Sequence, residues 1–338
     1  MIETASQLSA ISSQLSGFSF IFRAGVWKPR TSPHTYQGAG EQGLEWLQEV
    51  KALYGVPVAT EVATPEHVQA ALEAGIDYLW IGARSSANPI AVQEIVESLK
   101  LKVERSRLDE SLQLKGLLIK NPVNADADLW LGNIERLEQT GVPVMAVHRG
   151  CGHEPCWSMA HRVRLARPDI PMLLDPSHMS GDAAHVPMLM NKIAELGLDG
   201  AMIEVHTHPE AALSDSAQQI TPTCLRDTLD PIPSRYRLVA VFSTTDGQEE
   251  LNWLRAEIDE LDDHLWETIA TRMDVSRRIG EWKKAHGVAP LQPERYQQIV
   301  EKLKIKNDEL SMKGAALSGD FMSHIWEMIH EESLKQQK

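Results

Sequence analysis

Residues 172–178 read Met-Leu-Leu-Asp-Pro-Ser-His, residues 201–206 read Ala-Met-Ile-Glu-Val-His, and residues 212–215 read Ala-Leu-Ser-Asp. Met172–Leu174 and Ala201–Ile203 are short apolar runs of the kind buried in a parallel sheet. Each ends in polar residues that cannot stay unsatisfied in a core. In α/β barrels, functional groups sit where strands run out into the following loops, so this stretch offers His178, Glu204 and Asp215 as ligands to one cation. Spacing alone does not choose among histidines, and His148, His153, His206 and His208 compete with His178.

Outward from that stretch the chain alternates. Seven strand candidates, Ser19–Arg23, Val58–Val62, Tyr78–Ile81, Lys115–Lys120, Val144–His148, Met172–Leu174 and Ala201–Val205, are each trailed by a helix-like segment. That rhythm predicts a parallel sheet with helices outside, and a repeat of roughly 25 to 35 residues suits a closed (β/α)8 TIM-type barrel. Ala5, Leu8, Ile11 and Leu15 mark an opening helix over Thr4–Leu15. With seven strands and none ahead of that helix, the first strand of an eight-stranded barrel is expected to be absent.

Cys224–Leu229 reads as the last turn of the closing helix, and Asp230-Pro-Ile-Pro breaks it. The barrel is therefore expected over 1–229, with a linker over 230–248. From Glu249 onward Leu251, Leu254, Ile258, Leu261, Leu265, Ile269 and Met273 recur at spacings of three and four, predicting a long amphipathic helix. His286-Gly-Val-Ala-Pro290 breaks it. Pro293–Lys304 and Gly319–Lys335 then complete an all-α domain of three helices over 249–338.

The 338 residues fit a barrel of ~250 residues plus something smaller. Hydrophobic residues at 43% and charged residues at 24% describe a soluble globular chain rather than a disordered one. A formal charge of −14 argues against non-specific nucleic-acid binding but leaves room for local basic clusters that hold small anions. No apolar run reaches 18 residues and Met1–Gly17 lacks a signal-peptide pattern, so a cytoplasmic protein with no membrane partner is expected. Three cysteines without a CxxC pair fit a reducing compartment, and Cys151-Gly-His-Glu-Pro-Cys156 is too sparse a pattern for structural zinc.

Cations collect at the strand ends. Arg23-Ala-Gly-Val-Trp-Lys-Pro-Arg-Thr-Ser32 and Ile81-Gly-Ala-Arg84 combine Arg, Lys, hydroxyls and glycine in the manner of phosphate sites, and Lys120 and Arg149 end two further strands. A single basic residue there is ordinarily solvated or salt-bridged. Four such strand ends in one barrel predict a cationic mouth on an acidic chain.

Taken in order, Lys28-Pro-Arg-Thr-Ser32, Gly82-Ala-Arg84, Lys120-Asn-Pro122, His148-Arg-Gly150, Asp175-Pro-Ser-His178, Ile203-Glu-Val205 and Leu213-Ser-Asp215 resemble type I 3-deoxy-D-arabino-heptulosonate-7-phosphate (DAHP) synthase over about residues 4–229. The resemblance implies condensation of phosphoenolpyruvate with erythrose 4-phosphate at a divalent metal, at the entry to the shikimate route. It places Lys28, Gly82, Ala83, Arg84, Lys120 and Arg149 at phosphoenolpyruvate, with Lys28 also counted as catalytic, and Arg30, Thr31 and Ser32 at the aldose phosphate. His178, Glu204 and Asp215 match three of the family's four metal ligands, for Mn2+ first and Fe2+, Co2+ or Zn2+ as alternatives. The fourth is a cysteine in a Gly-Pro-Cys-Ser-like motif at the end of the first strand, and neither motif nor strand is found here. Poor synthase turnover and weakened metal binding are the expectation.

The helical domain resembles a chorismate mutase of the AroQ type, through Leu254-Arg-Ala-Glu-Ile-Asp259, Arg272, Lys283, Pro293-Glu-Arg295 and Glu332-Ser-Leu-Lys-Gln-Gln337. The implied reaction rearranges chorismate to prephenate without covalent chemistry or a cofactor, by holding a compact conformer and stabilising the ether oxygen as charge develops. By the resemblance Arg255, Arg272 and Arg295 hold carboxylates, Lys283 and Gln337 face the ether oxygen, and Ser333 supports the site. Prephenate is then the product and a candidate feedback inhibitor. Arg255 and Arg272 lie 17 residues apart, about 25 Å along a helix, too far for one chorismate. A homodimer sharing the long helix is therefore expected. The alternatives are a barrel acting as a Schiff-base aldolase through Lys120, and a helical domain acting as a non-catalytic sensor of prephenate or chorismate.

Overall fold

The computed structural model describes residues 1–15, 18–30, 32, 34–106, 114–230, 247–289, 291–312 and 317–337. The chain divides into two compact units, Met1–Glu257 and Ile258–Lys338. The expected linker over 230–248 lies almost wholly outside the described residues.

In the first unit α1 (Ile2–Gln14), β1 (Phe22–Arg23), α2 (Glu41–Tyr54), β2 (Val58–Val62), α3 (Pro65–Glu73), β3 (Tyr78–Ile81), α4 (Ala83–Ser86), α5 (Pro89–Ser106), β4 (Gly116–Lys120), α6 (Ala127–Glu138) and β5 (Val144–His148) follow one another. They lead into α7 (Trp157–Ala166), β6 (Met172–Leu174), α8 (Pro176–Ser180), α9 (Val186–Glu195), β7 (Gly200–Ala201) and α10 (Pro222–Leu229). All strand pairings are parallel and run in sequence order from β1 to β7, giving a TIM-like sheet of seven strands with helices outside. Helix starts follow local chemistry: Thr64, Asp126, Asp175 and Thr221 each accept a hydrogen bond from an amide in the first turn of α3, α6, α8 and α10.

Two expected strands are shorter than their apolar runs. Ser19–Arg23 pairs only over Phe22–Arg23, where this edge strand meets β2. Ala201–Val205 pairs with β6 only through Ala201, because the amide of Glu204 donates to Ser177 Oγ at 3.0 Å instead of continuing the ladder.

The period of two along each strand separates two environments. Val58, Leu79, Ile81, Leu117, Ile119 and Leu174 join the large core between sheet and helices. Ala59, Trp80, Leu118, Val147 and Met202 form a smaller cluster on the other face, inside the curl of the sheet. Two residues beyond this inner layer, the same face carries Glu61, Lys120 and Glu204 at the strand ends.

The opposite end of the sheet is pinned by Asp77, whose side chain is 4% exposed and meets Lys51 Nζ at 3.0 Å, Lys115 Nζ at 2.8 Å and the Val58 amide at 3.0 Å. Burial pushes its carboxyl up, but the bonds from Lys115, Val58 and Lys51 outweigh this and hold it below the ordinary 3.8. A depressed folded pKa contributes stability that is complete above the unfolded value and lost as pH falls through the folded one. Asp77→Asn is expected to cost about 2 kcal/mol at neutral pH. Urea unfolding at pH 7 and near pH 3 checks it, with the gap between the two proteins closing in acid.

The second unit takes most of α11 (Gly247–Ala285), with α12 (Pro293–Met312) and α13 (Gly319–Gln336). α12 runs eight residues beyond the expected Lys304, since nothing in Ile305–Met312 breaks a helix. The first turns of α11 belong to the first unit. There Trp253 is buried and stacks on His161 at 5.3 Å, and Glu257 Oε1 meets His161 Nδ1 at 2.6 Å.

Candidate active sites

Where β1, β2, β3, β4 and β7 run out, a cavity of about 70 Å³ is lined by Arg23, Lys28, Arg30, Arg84 and Lys120 together with Glu61, Trp80, His178, Glu204 and Asp215. Five cations therefore converge on one small space, as the strand-end motifs predict. Lys120 is 6% exposed in its side chain, and its charge is met by fully buried Asp175, with Nζ 2.6 Å from Oδ2. Asp175 also meets His178 Nδ1 at 3.0 Å. The Oδ2 contacts are charge contacts rather than aligned hydrogen bonds. Burial pushes the Asp175 carboxyl up, but His178 and Lys120 outweigh it and hold it well below the usual range.

Of the three expected metal ligands, His178 and Glu204 face one another, with Nε2 3.9 Å from Oε1. Asp215 lines the same cavity but is turned to cations: Arg30 grips it with two bonds, Nη1 to Oδ1 at 3.0 Å and Nη2 to Oδ2 at 2.8 Å, and Lys28 Nζ lies 3.1 Å from Oδ2. Among the described residues no three His, Cys, Asp or Glu side chains stand together at ligating distance. The expected trio is thus a pair plus a carboxylate drawn aside, because a guanidinium fork matches a carboxylate in two bonds. The donor types, one imidazole and two carboxylates, suit a divalent first-row ion. For Asp215 to join such a set, Arg30 and Lys28 would have to release it.

The remaining expected contacts divide. A Cβ at Gly82 would lie 2.0 Å from Glu61 Oε1, so a side chain there would displace that carboxylate, and Ala83 begins the short α4 that presents Arg84. Arg149 does not line the cavity. Its Nη2 donates to Gly152 O at 3.3 Å and His178 O at 3.4 Å, so it sits behind the His178 wall. Ser32 does not line the cavity and accepts from the His34 amide, and Thr31 lies outside the described residues. His148, a competing ligand, faces the helix layer: its Nε2 is 2.6 Å from Pro155 O, and burial pushes its pKa down to about 4.

Two charged residues of this cavity, Arg23 and Glu61, have no individual role in the sequence reading. Arg23 Nη2 donates to Glu204 Oε1 at 3.2 Å, and its guanidinium lies 5.3 Å from the Trp80 ring centre. Glu61 is half-buried on the cavity wall, and desolvation raises its pKa against the pull of Lys120 and Arg23. The parity of β2 signals Glu61, since an acidic residue two positions after inward Ala59 shares its face.

The helical unit holds a second cationic cavity, of about 360 Å³, lined by Arg272, Lys283, Arg295, Ser333 and Gln337 with Tyr296, Trp326 and His330. Five of the six residues expected for the mutase site therefore meet. Arg272 Nη1 donates to Ser333 Oγ, and Lys283 Nζ donates to Gln337 Oε1 at 3.0 Å. Gly280 makes the second contact feasible, because a Cβ there would lie 2.5 Å from Gln337 Cα. Trp326 and His330 were missed, although they precede Ser333 at helical spacings of seven and three on the same face of α13. Arg272 lies 5.1 Å over the Trp326 ring, and burial lowers its pKa. Arg255, the sixth residue, is exposed and does not line this cavity.

Comparison with known proteins agrees with this division. A phospho-2-dehydro-3-deoxyheptonate aldolase of Thermotoga maritima is 30% identical over 223 residues, covering 65% of this chain and 61% of the relative, so the chain spans under two thirds of that relative's length. A 2-dehydro-3-deoxyphosphooctonate aldolase of Helicobacter pylori is 26% identical over 243 residues, covering 66% of this chain and 87% of the relative. A crystal structure of the Thermotoga maritima DAHP synthase superposes with a TM-score of 0.55 at 27% identity, over 68% of this chain and 62% of that one. Residues 1–232 match the DAHP synthetase I family and residues 254–338 match chorismate mutase type II, so the chain belongs to the DAHP synthetase I family and carries a chorismate mutase domain at its C-terminal end.

Proposed function

We propose that the chain is a bifunctional enzyme of aromatic biosynthesis, condensing phosphoenolpyruvate with erythrose 4-phosphate in the barrel and rearranging chorismate to prephenate in the helical domain. The observation that carries this reading is that each family domain contains its own convergence of cations on a cavity. In the barrel, Lys28, Arg84 and Lys120 neutralise the phosphate and carboxylate of phosphoenolpyruvate, and Arg30 holds the aldose phosphate. A divalent ion at His178, Glu204 and Asp215, Mn2+ in the first instance, would supply Lewis-acid polarisation of the aldehyde. Glu61, raised by burial beside Lys120, can hold a proton within the cavity.

In the helical cavity Arg272 and Arg295 hold carboxylates, Ser333 fixes Arg272, and Lys283 with Gln337 meets the negative charge that develops on the ether oxygen. Assay of the full chain for both condensation and mutase turnover tests the reading. Borohydride trapping of substrate on Lys120, with no loss to chelator, would favour the aldolase alternative. Chorismate binding without turnover would favour a sensor. The octonate relative makes a five-carbon aldose phosphate the informative second substrate.

We further propose a homodimer through the helical domain. Leu251, Leu254, Ile258, Leu261 and Leu265 form a stripe along α11, each between 41% and 65% exposed, and spacings of three and four suit helix pairing. Arg255 on the same helix is then free to complete a partner's cavity. Light scattering at assay concentration should give twice the chain mass; a fully active monomer would sink the idea.

A further inference from the structure

The geometry points to Asp175 as a positioning residue that orients both His178 as a metal ligand and Lys120 as a substrate cation, an inference that rests on the metal-dependent reading of the barrel site. Asp175 follows β6 and has no exposed surface. Its carboxylate does three things at once. Oδ1 accepts from the His178 amide at 3.2 Å, which caps α8 and fixes the backbone that carries His178. Both oxygens lie against His178 Nδ1, at 3.1 Å and 3.0 Å. Oδ2 is also 2.6 Å from Lys120 Nζ, which itself lies 3.5 Å from the same Nδ1.

The Asp175 oxygens, at 3.1 and 3.0 Å from Nδ1 against 3.5 Å for the Lys120 ammonium, favour the tautomer with its proton on Nδ1, which turns the Nε2 lone pair to the side facing Glu204. The neighbouring Ser177 holds the other ligand, since its Oγ accepts from the Glu204 amide at 3.0 Å. One buried turn thus sets the aim of His178, the backbone of Glu204 and the place of the Lys120 ammonium. A carboxylate needed only as a helix cap would be replaceable by the amide of Asn, which retains an acceptor for the His178 amide and almost the same volume. The two roles are therefore separable by one substitution.

In the full chain, Asp175→Asn is expected to weaken Mn2+ binding about 10- to 100-fold and to weaken phosphoenolpyruvate binding as well. Lys120→Met should weaken phosphoenolpyruvate but not Mn2+. Mn2+ is followed by the electron paramagnetic resonance of the free ion and phosphoenolpyruvate by calorimetry. Unchanged Mn2+ affinity in a folded Asp175→Asn chain overturns the role of Asp175, whereas no Mn2+ binding by the wild type overturns the metal reading beneath it. Should the variant fail to fold, the wild-type His178 tautomer, read by long-range 1H–15N correlation, decides. A proton on Nδ1 supports the assignment, and a proton on Nε2 overturns it.

Discussion

Lys283→Ala should lower the mutase kcat by at least ~10²-fold, the scale seen when a preorganised charge at a developing oxyanion is removed. Lys283 Nζ is held by Gln337 Oε1 at 3.0 Å on the wall of the helical cavity, so its charge is in place before the ether oxygen becomes negative. The effect on KM should be smaller, because Arg272 and Arg295 remain to bind the carboxylates. Steady-state kinetics on full-length wild type and variant separate the two parameters. Wild-type kcat in Lys283→Ala would show that this ammonium does not face the reacting atoms, and the sensor alternative would then be preferred.

His178→Ala should raise the dissociation constant for Mn2+ by more than ~10²-fold, beyond the loss typical of an outer-shell partner. Imidazole is the only nitrogen donor in the set, and Glu204 and Asp215 are both already engaged by arginines. Synthase turnover should fall with the metal, while mutase turnover should be unchanged because its cavity takes its lining from Arg272 onward. Calorimetric titration with Mn2+, with both assays on the same preparation, tests this. Undiminished Mn2+ affinity would mean that the ion binds elsewhere.

The arginine grip on Asp215 has a consequence for acid stability. Burial pushes that carboxyl up, but Arg30 and Lys28 outweigh it and hold it well below the usual range. The pairs therefore persist through mild acid, and a cation must compete with them at every ordinary pH. Glu204 is likewise held down, by His178 and Arg23 against its own burial. Both carboxylates are thus ionised across the neutral range, each paired with an arginine.

Much of this protein was legible in the order of its residues. The repeated apolar run, polar end and helix-like segment predicted a parallel sheet with helices outside, because strands buried on both faces must be apolar while their ends must satisfy polar groups. The same logic placed Arg84, Lys120 and Glu204 at strand ends. Leucines at three and four residues announced the helical domain. What the order could not give was the choice between faces and between rivals. His148 and His178 look alike in sequence, yet one is buried against Trp157 with its Nε2 spent on Pro155 O, while the other is swung inward by the α8 turn. Arg149 ends its strand as Lys120 does, yet backbone carbonyls hold it behind the cavity. Asp215 reads as a metal ligand, but only the fold brings Arg30 and Lys28 across more than 180 residues of chain to claim it. Local pattern determines which elements form, since hydrogen bonding and burial within an element depend on neighbours in sequence. Which side chains share a cavity depends on contacts between strands far apart in the chain, and that was decided by tertiary structure alone.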